Sequence, residues 1–252
     1  MLRLILCALC LTPLTTAEAA DLPAYTGDLS EFDNIRFLPA KEDGPARLLL
    51  GDNNGRLHAY EARGKTYSEV WVSDYLDGAV SGVYVVDVND DGINEIVTYT
   101  DQGRFFYFDT QDYTLIWANP PNEYRRITGL TIGNIDDDEQ PEIVFCADGR
   151  LIVYDGRDQY EQWRSDQTNL TAHQILIGDV DGDDDDEIVL NDGYVFDSRF
   201  FDLEWQSPDS FGERMGLLDL DDDLIPEVIG EFQGRYLRIF DIDLRREKSL
   251  SH

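Results

Sequence analysis

The sequence predicts an all-β fold, a β-propeller of about five four-stranded blades whose ring is closed by an N-terminal strand. Runs of β-branched and aromatic residues alternate along the chain with turns that contain glycine, a pattern that is typical of short strands. Four similar acidic segments begin at positions 87, 134, 179 and 219. They therefore recur at the spacing of one propeller blade, about 40 to 50 residues.

Each repeat contains four strand-like segments. An apolar run at residues 83–86 precedes the first acidic segment, and a second run follows it at residues 95–99. A glycine-containing turn leads to a third, aromatic-rich run at residues 105–108. The fourth run carries a tryptophan, and these tryptophans are Trp71, Trp117, Trp163 and Trp205. Their regular spacing indicates packing in the core or at a blade edge rather than ligand binding.

The first and last repeats depart from this pattern. In a degenerate first copy, Pro39, Lys41 and Arg47 occupy the ligand positions, so it is predicted to keep the fold without the acidic ligands. The last repeat ends near residue 242 after three predicted strands, with no tryptophan-bearing run. We expect residues 22–26 to supply the missing strand, because an open sheet edge promotes aggregation.

Residues 1–19 are predicted to be a secretory signal peptide. Arg3 is followed by an apolar run and then by the small-x-small cleavage pattern Ala17-Glu18-Ala19. The propeller is predicted over residues 20–243, with a flexible polar tail over residues 244–252. An extracytoplasmic location follows, either periplasmic or secreted. No segment is long and apolar enough to predict a transmembrane helix.

The charge of the chain narrows the choice of partners. The 52 Asp and Glu residues outnumber the 20 Lys and Arg residues, which gives a formal net charge of −32. Such a surface repels phosphate backbones, so no nucleic-acid partner is expected. The same repulsion disfavours anionic membranes, whereas it favours divalent cations and basic ligands.

The four acidic segments carry oxygen ligands at fixed positions. Each has Asp or Asn at positions 1, 3 and 5 and Glu at position 9, and the backbone carbonyl of position 7 is expected to add a ligand. Hard cations such as Ca²⁺ take oxygen ligands, whereas transition metals would require the His or Cys that these segments lack. Calcium is therefore predicted, with Mg²⁺ as a weaker competitor.

The predicted metal ligands fall into four sets, one for each of the second to fifth repeats. They are Asp87, Asn89, Asp91, Ile93 and Glu95; Asn134, Asp136, Asp138, Gln140 and Glu142; Asp179, Asp181, Asp183, Asp185 and Glu187; and Asp219, Asp221, Asp223, Ile225 and Glu227. The sets of the second and fourth repeats, Asp87 to Glu95 and Asp179 to Glu187, have the best ligands. Glu139 and Leu224 stand at position 6 of the third and fifth segments, where a sharp turn favours glycine. We therefore expect two to four calcium ions.

These segments resemble the FG-GAP and VCBS-type repeats, a family found in the integrin α-chain propeller and in many exported bacterial proteins. The stretches that carry the resemblance are Val86-Asp87-Val88-Asn89-Asp90-Asp91-Gly92, Gly133-Asn134-Ile135-Asp136-Asp137-Asp138 and Gly178-Asp179-Val180-Asp181-Gly182-Asp183. The resemblance extends roughly over residues 30–243. It implies a propeller with calcium in the hairpin between the first two strands of a blade.

The resemblance does not imply a single activity, because such repeats occur in adhesins, scaffolds and a few carbohydrate-active enzymes. This chain departs from the family pattern in its small number of blades, its first repeat without ligands and its missing glycines at position 6.

The end of the propeller opposite the acidic segments is the predicted ligand surface. Arginine and aromatic residues, which dominate binding hot spots, occur in the connections between successive blades. The predicted ligand-binding residues are Tyr124, Arg125, Arg126, His173 and Arg214. Four further arginines follow the turns between second and third strands, and for these structural ion pairs with Asp are favoured over ligand binding. They are Arg56, Arg104, Arg150 and Arg235.

The leading functional hypothesis is a calcium-stabilised module that binds an unidentified protein or glycan. No catalytic residues are predicted, because the chain has no GxSxG motif and no phosphate-binding glycine loop, and metal ligation accounts for its paired carboxylates. The alternative is a carbohydrate-active enzyme, a lyase or hydrolase, that uses the face opposite the calcium loops. A purely structural ring within a larger assembly is the third hypothesis.

Overall fold

The computed structural model describes residues 32–40, 44–136, 138 and 140–248. These residues form twenty strands and no helix, so the described part of the chain has no helix that could cross a membrane. The predicted signal peptide and the predicted closing strand at residues 22–26 lie outside the described residues.

The strands form five four-stranded sheets. The first sheet contains β1 (Ile35–Leu38), β2 (Arg47–Gly51), β3 (Leu57–Arg63) and β4 (Thr66–Val72). The second contains β5 (Val80–Val86), β6 (Glu95–Thr100), β7 (Phe105–Asp109) and β8 (Leu115–Ala118). The third contains β9 (Ile127–Gly133), β10 (Glu142–Ala147), β11 (Arg150–Asp155) and β12 (Glu161–Arg164). The fourth contains β13 (Ile175–Gly178), β14 (Glu187–Leu190), β15 (Tyr194–Asp197) and β16 (Leu203–Gln206), and the fifth contains β17 (Arg214–Leu218), β18 (Glu227–Phe232), β19 (Tyr236–Asp241) and β20 (Arg246–Lys248).

Within each sheet, every strand pairs antiparallel with its neighbours in the sequence. The predicted all-β architecture of five four-stranded units is confirmed. The second strand of each sheet is the most buried. Every residue of β6 and β10 is buried, because sheets cover both faces of these strands. This double burial explains why these strands are continuous apolar runs rather than alternating patterns.

Successive sheets meet along their first strands, with β1 next to β5, β9 next to β13 and β13 next to β17. Side chains in or next to the first strands form hydrogen bonds with the backbone of the next sheet. Gln174 accepts the Met215 N–H at 2.6 Å and donates to the Met215 carbonyl at 2.9 Å. Thr128 likewise donates to the Ala172 carbonyl. These bonds fix the first strands side by side with the same ends aligned.

The tryptophans of the fourth strands pack against the next sheet. Trp71 stacks on Tyr113, which follows β7, with ring centroids 4.6 Å apart. Trp163 stacks on Phe201 in the same way, with a separation of 4.9 Å. The prediction that the tryptophans serve packing is confirmed for these two positions, and a repeated aromatic contact joins neighbouring sheets.

The prediction of a three-stranded last repeat is wrong. Residues assigned to the flexible tail form β20, which pairs with β19 and completes the fifth sheet. The strand consists of Arg, Glu and Lys, so it lacks the apolar pattern that reveals the other strands. Lys248 lies opposite Ile239, the register position at which Trp163 lies opposite Val153 in the third sheet. Closure of the ring by residues 22–26 stays a prediction.

We predict that Trp163→Ala destabilises the fold by about 3 kcal/mol, because it removes an aromatic contact between two sheets and leaves a cavity. The matched control is Tyr67→Ala, since Tyr67 is 71% exposed; its cost should be below about 0.5 kcal/mol. Urea unfolding followed by circular dichroism measures both. Equal effects of the two substitutions would contradict the packing role of Trp163.

Candidate metal centre

The acidic segments occupy the connections between first and second strands of the second to fifth sheets, at residues 87–94, 134–141, 179–186 and 219–226. We call them the second to fifth loops, after their sheets. In each loop, the glutamate at position 9 is the first residue of the second strand. These glutamates are Glu95, Glu142, Glu187 and Glu227, and all four are buried. The predicted ligand positions therefore lie at one end of the propeller.

Two hydrogen bonds recur in all four loops. One oxygen of each position-9 glutamate accepts the N–H of position 2, at distances of 3.1, 3.0, 2.7 and 2.9 Å in the second to fifth loops. Each position-5 carboxylate accepts the N–H of position 7, at 2.8, 2.7, 2.9 and 2.9 Å. These bonds explain why the acids recur at fixed spacing, and they leave the second glutamate oxygen available to a cation.

The turn at position 6 requires a left-handed backbone. Gly92 adopts φ +82° in the second loop, and Asp184 and Leu224 adopt φ 72° and 76° in the fourth and fifth. An L-residue pays about 1–2 kcal/mol for this conformation, but the loops form nonetheless. Glu139 of the third loop lies outside the described residues.

Carboxylates converge in three loops, where one oxygen from each of three residues lies within 4.8 Å of the others. The clusters are Asp136, Asp138 and Glu142; Asp179, Asp181 and Glu187; and Asp219, Asp221 and Glu227. Each includes the residue at position 3. The second loop has Asn89 there, so it forms no cluster of three carboxylates within the described chain, although its ligand set is among the best in sequence.

The fourth loop contains unsatisfied buried oxygens. Glu187 is 0% exposed, and its Oε2 accepts the Val180 N–H. Its Oε1 and the Oδ1 of Asp181 are buried without a hydrogen-bond partner in the described chain. A buried carboxylate with no partner is costly unless a cation or donor meets it. The all-oxygen donor set fits Ca²⁺ or Mg²⁺ and does not fit zinc or copper.

Burial also changes the acidity of the position-9 glutamates. It raises the pKa of Glu95 and of Glu142 to about 7. It raises the pKa of Glu187 to about 8. Neighbouring aspartates add to the increase in all three, and the backbone N–H at position 2 opposes it. Without a cation, these carboxyls therefore hold protons near neutral pH.

The fifth loop contains a cation from the chain itself. The Lys248 ammonium lies 2.9 Å from Asp221 Oδ2 and 3.4 Å from Asp241 Oδ2, and it also donates to Glu227 Oε1. Hydrogen bonds to Asp221 and Glu227 raise the pKa of Lys248 above its ordinary value. Sequence reasoning missed this residue because it lies in a charged segment that was assigned to the tail.

The opposite end of the propeller carries the predicted ligand-binding residues. Arg126 precedes β9, His173 precedes β13 and Arg214 begins β17, so they stand at the starts of three neighbouring inner strands. All three are exposed. Arg125 is 87% exposed, and its guanidinium lies 3.7 Å from Asp148.

Tyr124 is largely buried at this end of the propeller. It is 2% exposed, and its ring packs edge-on against Phe145 at 5.2 Å. Tyr124 also lines a groove at this end together with Arg125, so its predicted role in ligand binding stays a prediction. Tyr75 is an exposed aromatic residue at this end, with 59% of its surface accessible.

An open groove of about 640 Å³ lies at this end, lined by the connections that precede and follow the second sheet and by its β6–β7 turn. The groove is lined by Tyr75, Asp77, Arg104 and Arg125, and also by Gln102. Sequence reasoning missed Gln102, because an amide in a turn carries no distinctive pattern. The groove offers an aromatic ring, a carboxylate and guanidinium groups side by side, which is a chemistry suited to polar ligands.

Three of the four turn arginines have structural partners. Arg104 forms an ion pair with Asp77 at 2.7 Å, as expected for this group. Arg56 donates instead to the Ser73 carbonyl at 2.6 Å, and Arg150 donates to the carbonyl of Ser165. The latter two therefore cap fourth strands of their own sheets rather than neutralise aspartates.

Comparisons with known proteins show the fold. No protein-family model matches the chain, and no curated protein matches it. BBS1N, solved in complex with ARL6DN, superposes with a TM-score of 0.62 at 12% identity, over 86% of this chain and 67% of that one. The Neurospora crassa Pan2 WD40 domain superposes with a TM-score of 0.55 at 13% identity, over 86% of this chain and 64% of that domain.

A Bacillus licheniformis rhamnogalacturonan lyase gives a TM-score of 0.62 at 15% identity, over 85% of this chain and 50% of the lyase. This chain is thus similar to β-propeller structures, and it spans between a half and two thirds of their length. At these identities the likeness shows the fold alone.

We predict that the metal-free protein loses stability as the pH rises from about 5 to about 8. The folded pKa values of Glu142 and Glu187, about 7 and about 8, exceed those of an unfolded chain. Stability is therefore full below the unfolded pKa and is lost as the pH rises through the folded pKa. Thermal unfolding in chelator measures the trend.

The control for this prediction is Glu187→Gln, which does not titrate. Its thermal midpoint relative to the unsubstituted protein should increase between about pH 5 and about pH 8. A constant difference between the two proteins across that range would show that Glu187 does not carry the effect.

Proposed function

We propose that this protein is an exported, calcium-binding β-propeller of the FG-GAP/VCBS type that binds a protein or a glycan. Calcium is structural in this proposal and holds the hairpin loops closed. The observation that carries it is the pair of buried, unsatisfied oxygens of Asp181 and Glu187 in the fourth loop. One cation between them would satisfy both.

The third and fourth loops are the strongest calcium sites in this proposal. Each has three converging carboxylates, and the position-7 carbonyls of Gln140 and Asp185 would add a ligand. The second loop is weaker, because Asn89 supplies a neutral oxygen in place of a carboxylate.

Calcium binding would stabilise the fold by linkage, because the ion binds the folded loops and not the unfolded chain. The gain is largest where carboxylates crowd together without a partner. In a chain with a net charge of −32, bound calcium also reduces the self-repulsion of the acidic end.

The opposite end is the proposed binding surface. Arg125, Arg126 and Arg214 are exposed there on a strongly acidic protein, and Tyr75 lies in the groove beside Arg125. Guanidinium groups bind carboxylates through paired hydrogen bonds, and an exposed tyrosine ring offers a flat apolar contact together with a hydroxyl. Both kinds of contact suit an acidic peptide segment or a glycan. The predicted signal peptide at residues 1–19 supports export.

The alternative function is a carbohydrate-active enzyme, a lyase or hydrolase, on the same end. The likeness to a rhamnogalacturonan lyase motivates it, although that likeness concerns the fold. His173 is the histidine best placed to act on a substrate. Its Nε2 lies 2.9 Å from the Glu213 carbonyl and its Nδ1 lies 3.1 Å from the Asn191 amide. Both ring nitrogens thus have structural partners, which favours binding over catalysis.

We predict that Arg125→Ala combined with Arg126→Ala lowers ligand affinity on the order of tenfold or more, because exposed arginines contribute strongly to hot spots. Glycan-array binding and pull-down from a native envelope extract measure the change. The matched control is Arg157→Ala, since Arg157 is exposed in the β11–β12 turn at the calcium-loop end; it should stay within about twofold.

Unchanged capture by the double variant would contradict the proposed surface. If the unsubstituted protein turns over a defined glycan and the double variant loses that turnover, the enzyme hypothesis is supported instead.

A further inference from the structure

We propose that Lys248 is a built-in cation that occupies the fifth loop in place of a divalent metal ion. The inference rests on the proposed calcium binding of the other loops, and it assigns the fifth loop a different occupant. Three observations support it, namely the contacts of the ammonium, the atom that it meets and its register in the sheet.

The first observation is the position of the ammonium among the acids. Lys248 Nζ lies 2.9 Å from Asp221 Oδ2 and 3.4 Å from Asp241 Oδ2, and it contacts Glu227 Oε1 more closely still. Asp221 and Glu227 belong to the cluster that would otherwise hold a metal. One positive group therefore already lies at the point where the carboxylates of the fifth loop converge.

The second observation is the atom that Lys248 meets. In the fourth loop, Glu187 Oε2 accepts the Val180 N–H, and Oε1 is buried without a partner. In the fifth loop, Glu227 Oε2 accepts the Leu220 N–H, and Oε1 accepts from Lys248. The two loops are built alike, and the oxygen that is unsatisfied in one is the oxygen that the lysine satisfies in the other.

The third observation is the register of Lys248. It lies opposite Ile239, and in the other sheets the matching position on the fourth strand is a tryptophan. Those four residues are Trp71, Trp117, Trp163 and Trp205. Trp71 and Trp163 pack against the sheet that follows, whereas Lys248 extends towards the acidic loop of its own sheet. A flexible lysine stem can lie along the sheet there and extend its charge to the loop.

The consequence is a last blade whose acidic loop is neutralised without calcium. A tethered ammonium does not dissociate when calcium is depleted, so the fifth hairpin keeps its partner under conditions in which the other loops lose theirs. A divalent ion would need to displace Lys248 before it could bind, because both would contact the same glutamate oxygen.

The test counts calcium ions per chain by isothermal titration calorimetry on the full chain. The unsubstituted protein is compared with Lys248→Met, which keeps an unbranched stem and removes the charge. We expect Lys248→Met to bind one more calcium ion than the unsubstituted protein. The control Lys65→Met removes a charge from an exposed turn and should leave the number unchanged.

A second pair of variants tests the proposal if Lys248→Met does not fold. Glu187→Gln should lower the number of bound calcium ions by one, whereas Glu227→Gln should leave it unchanged, because the fifth loop holds no calcium while Lys248 is present. Loss of one ion in Glu227→Gln would overturn the proposal.

The outcomes separate this inference from the proposed function. If the unsubstituted protein binds calcium and Lys248→Met binds the same number, the role of Lys248 is overturned and calcium binding stands. If the unsubstituted protein binds none and Lys248→Met binds one, calcium binding by the other loops fails and the role of Lys248 stands. If neither protein binds calcium, both fail.

Discussion

The burial of one glutamate per blade is the constraint on which the rest of this structure depends. Glu95, Glu142, Glu187 and Glu227 each begin the second strand of a sheet, where packing leaves them little contact with water. One oxygen of each is bound to the backbone N–H of position 2. The other oxygen is buried without a partner in Glu187 and accepts from Lys248 in Glu227. A buried carboxylate of this kind requires a cation or a proton.

The blades meet this requirement in different ways. The third and fourth loops gather further carboxylates around the glutamate, a set that suits a divalent ion, and the fifth loop receives the ammonium of Lys248. In the first four sheets this register of the fourth strand carries a tryptophan, whereas in the fifth sheet it carries the lysine. Packing between sheets and neutralisation of the loops are thus linked at one position.

The four-stranded sheets and their acidic loops could be predicted from the sequence, because each period of the sequence repeat corresponds to one sheet. The acids recur because the same two backbone bonds shape each loop, and the tryptophans recur because they pack against aromatic rings of the core. The last strand escaped prediction since Arg246–Lys248 has no apolar residue. The role of Lys248 depends on a contact across the sheet. The burial of Tyr124 depends on the direction of its side chain in the connection before β9. Neither property leaves a periodic pattern.

Anomalous diffraction from crystals grown with calcium is the most direct test, because it locates each bound ion at its own loop. We predict peaks within about 2.6 Å of the carboxylate oxygens of Glu142 and Glu187. We also predict that Glu227 contacts Lys248 and has no calcium peak beside it. The absence of peaks at Glu142 and Glu187, or a peak that displaces Lys248 from Glu227, would contradict these predictions.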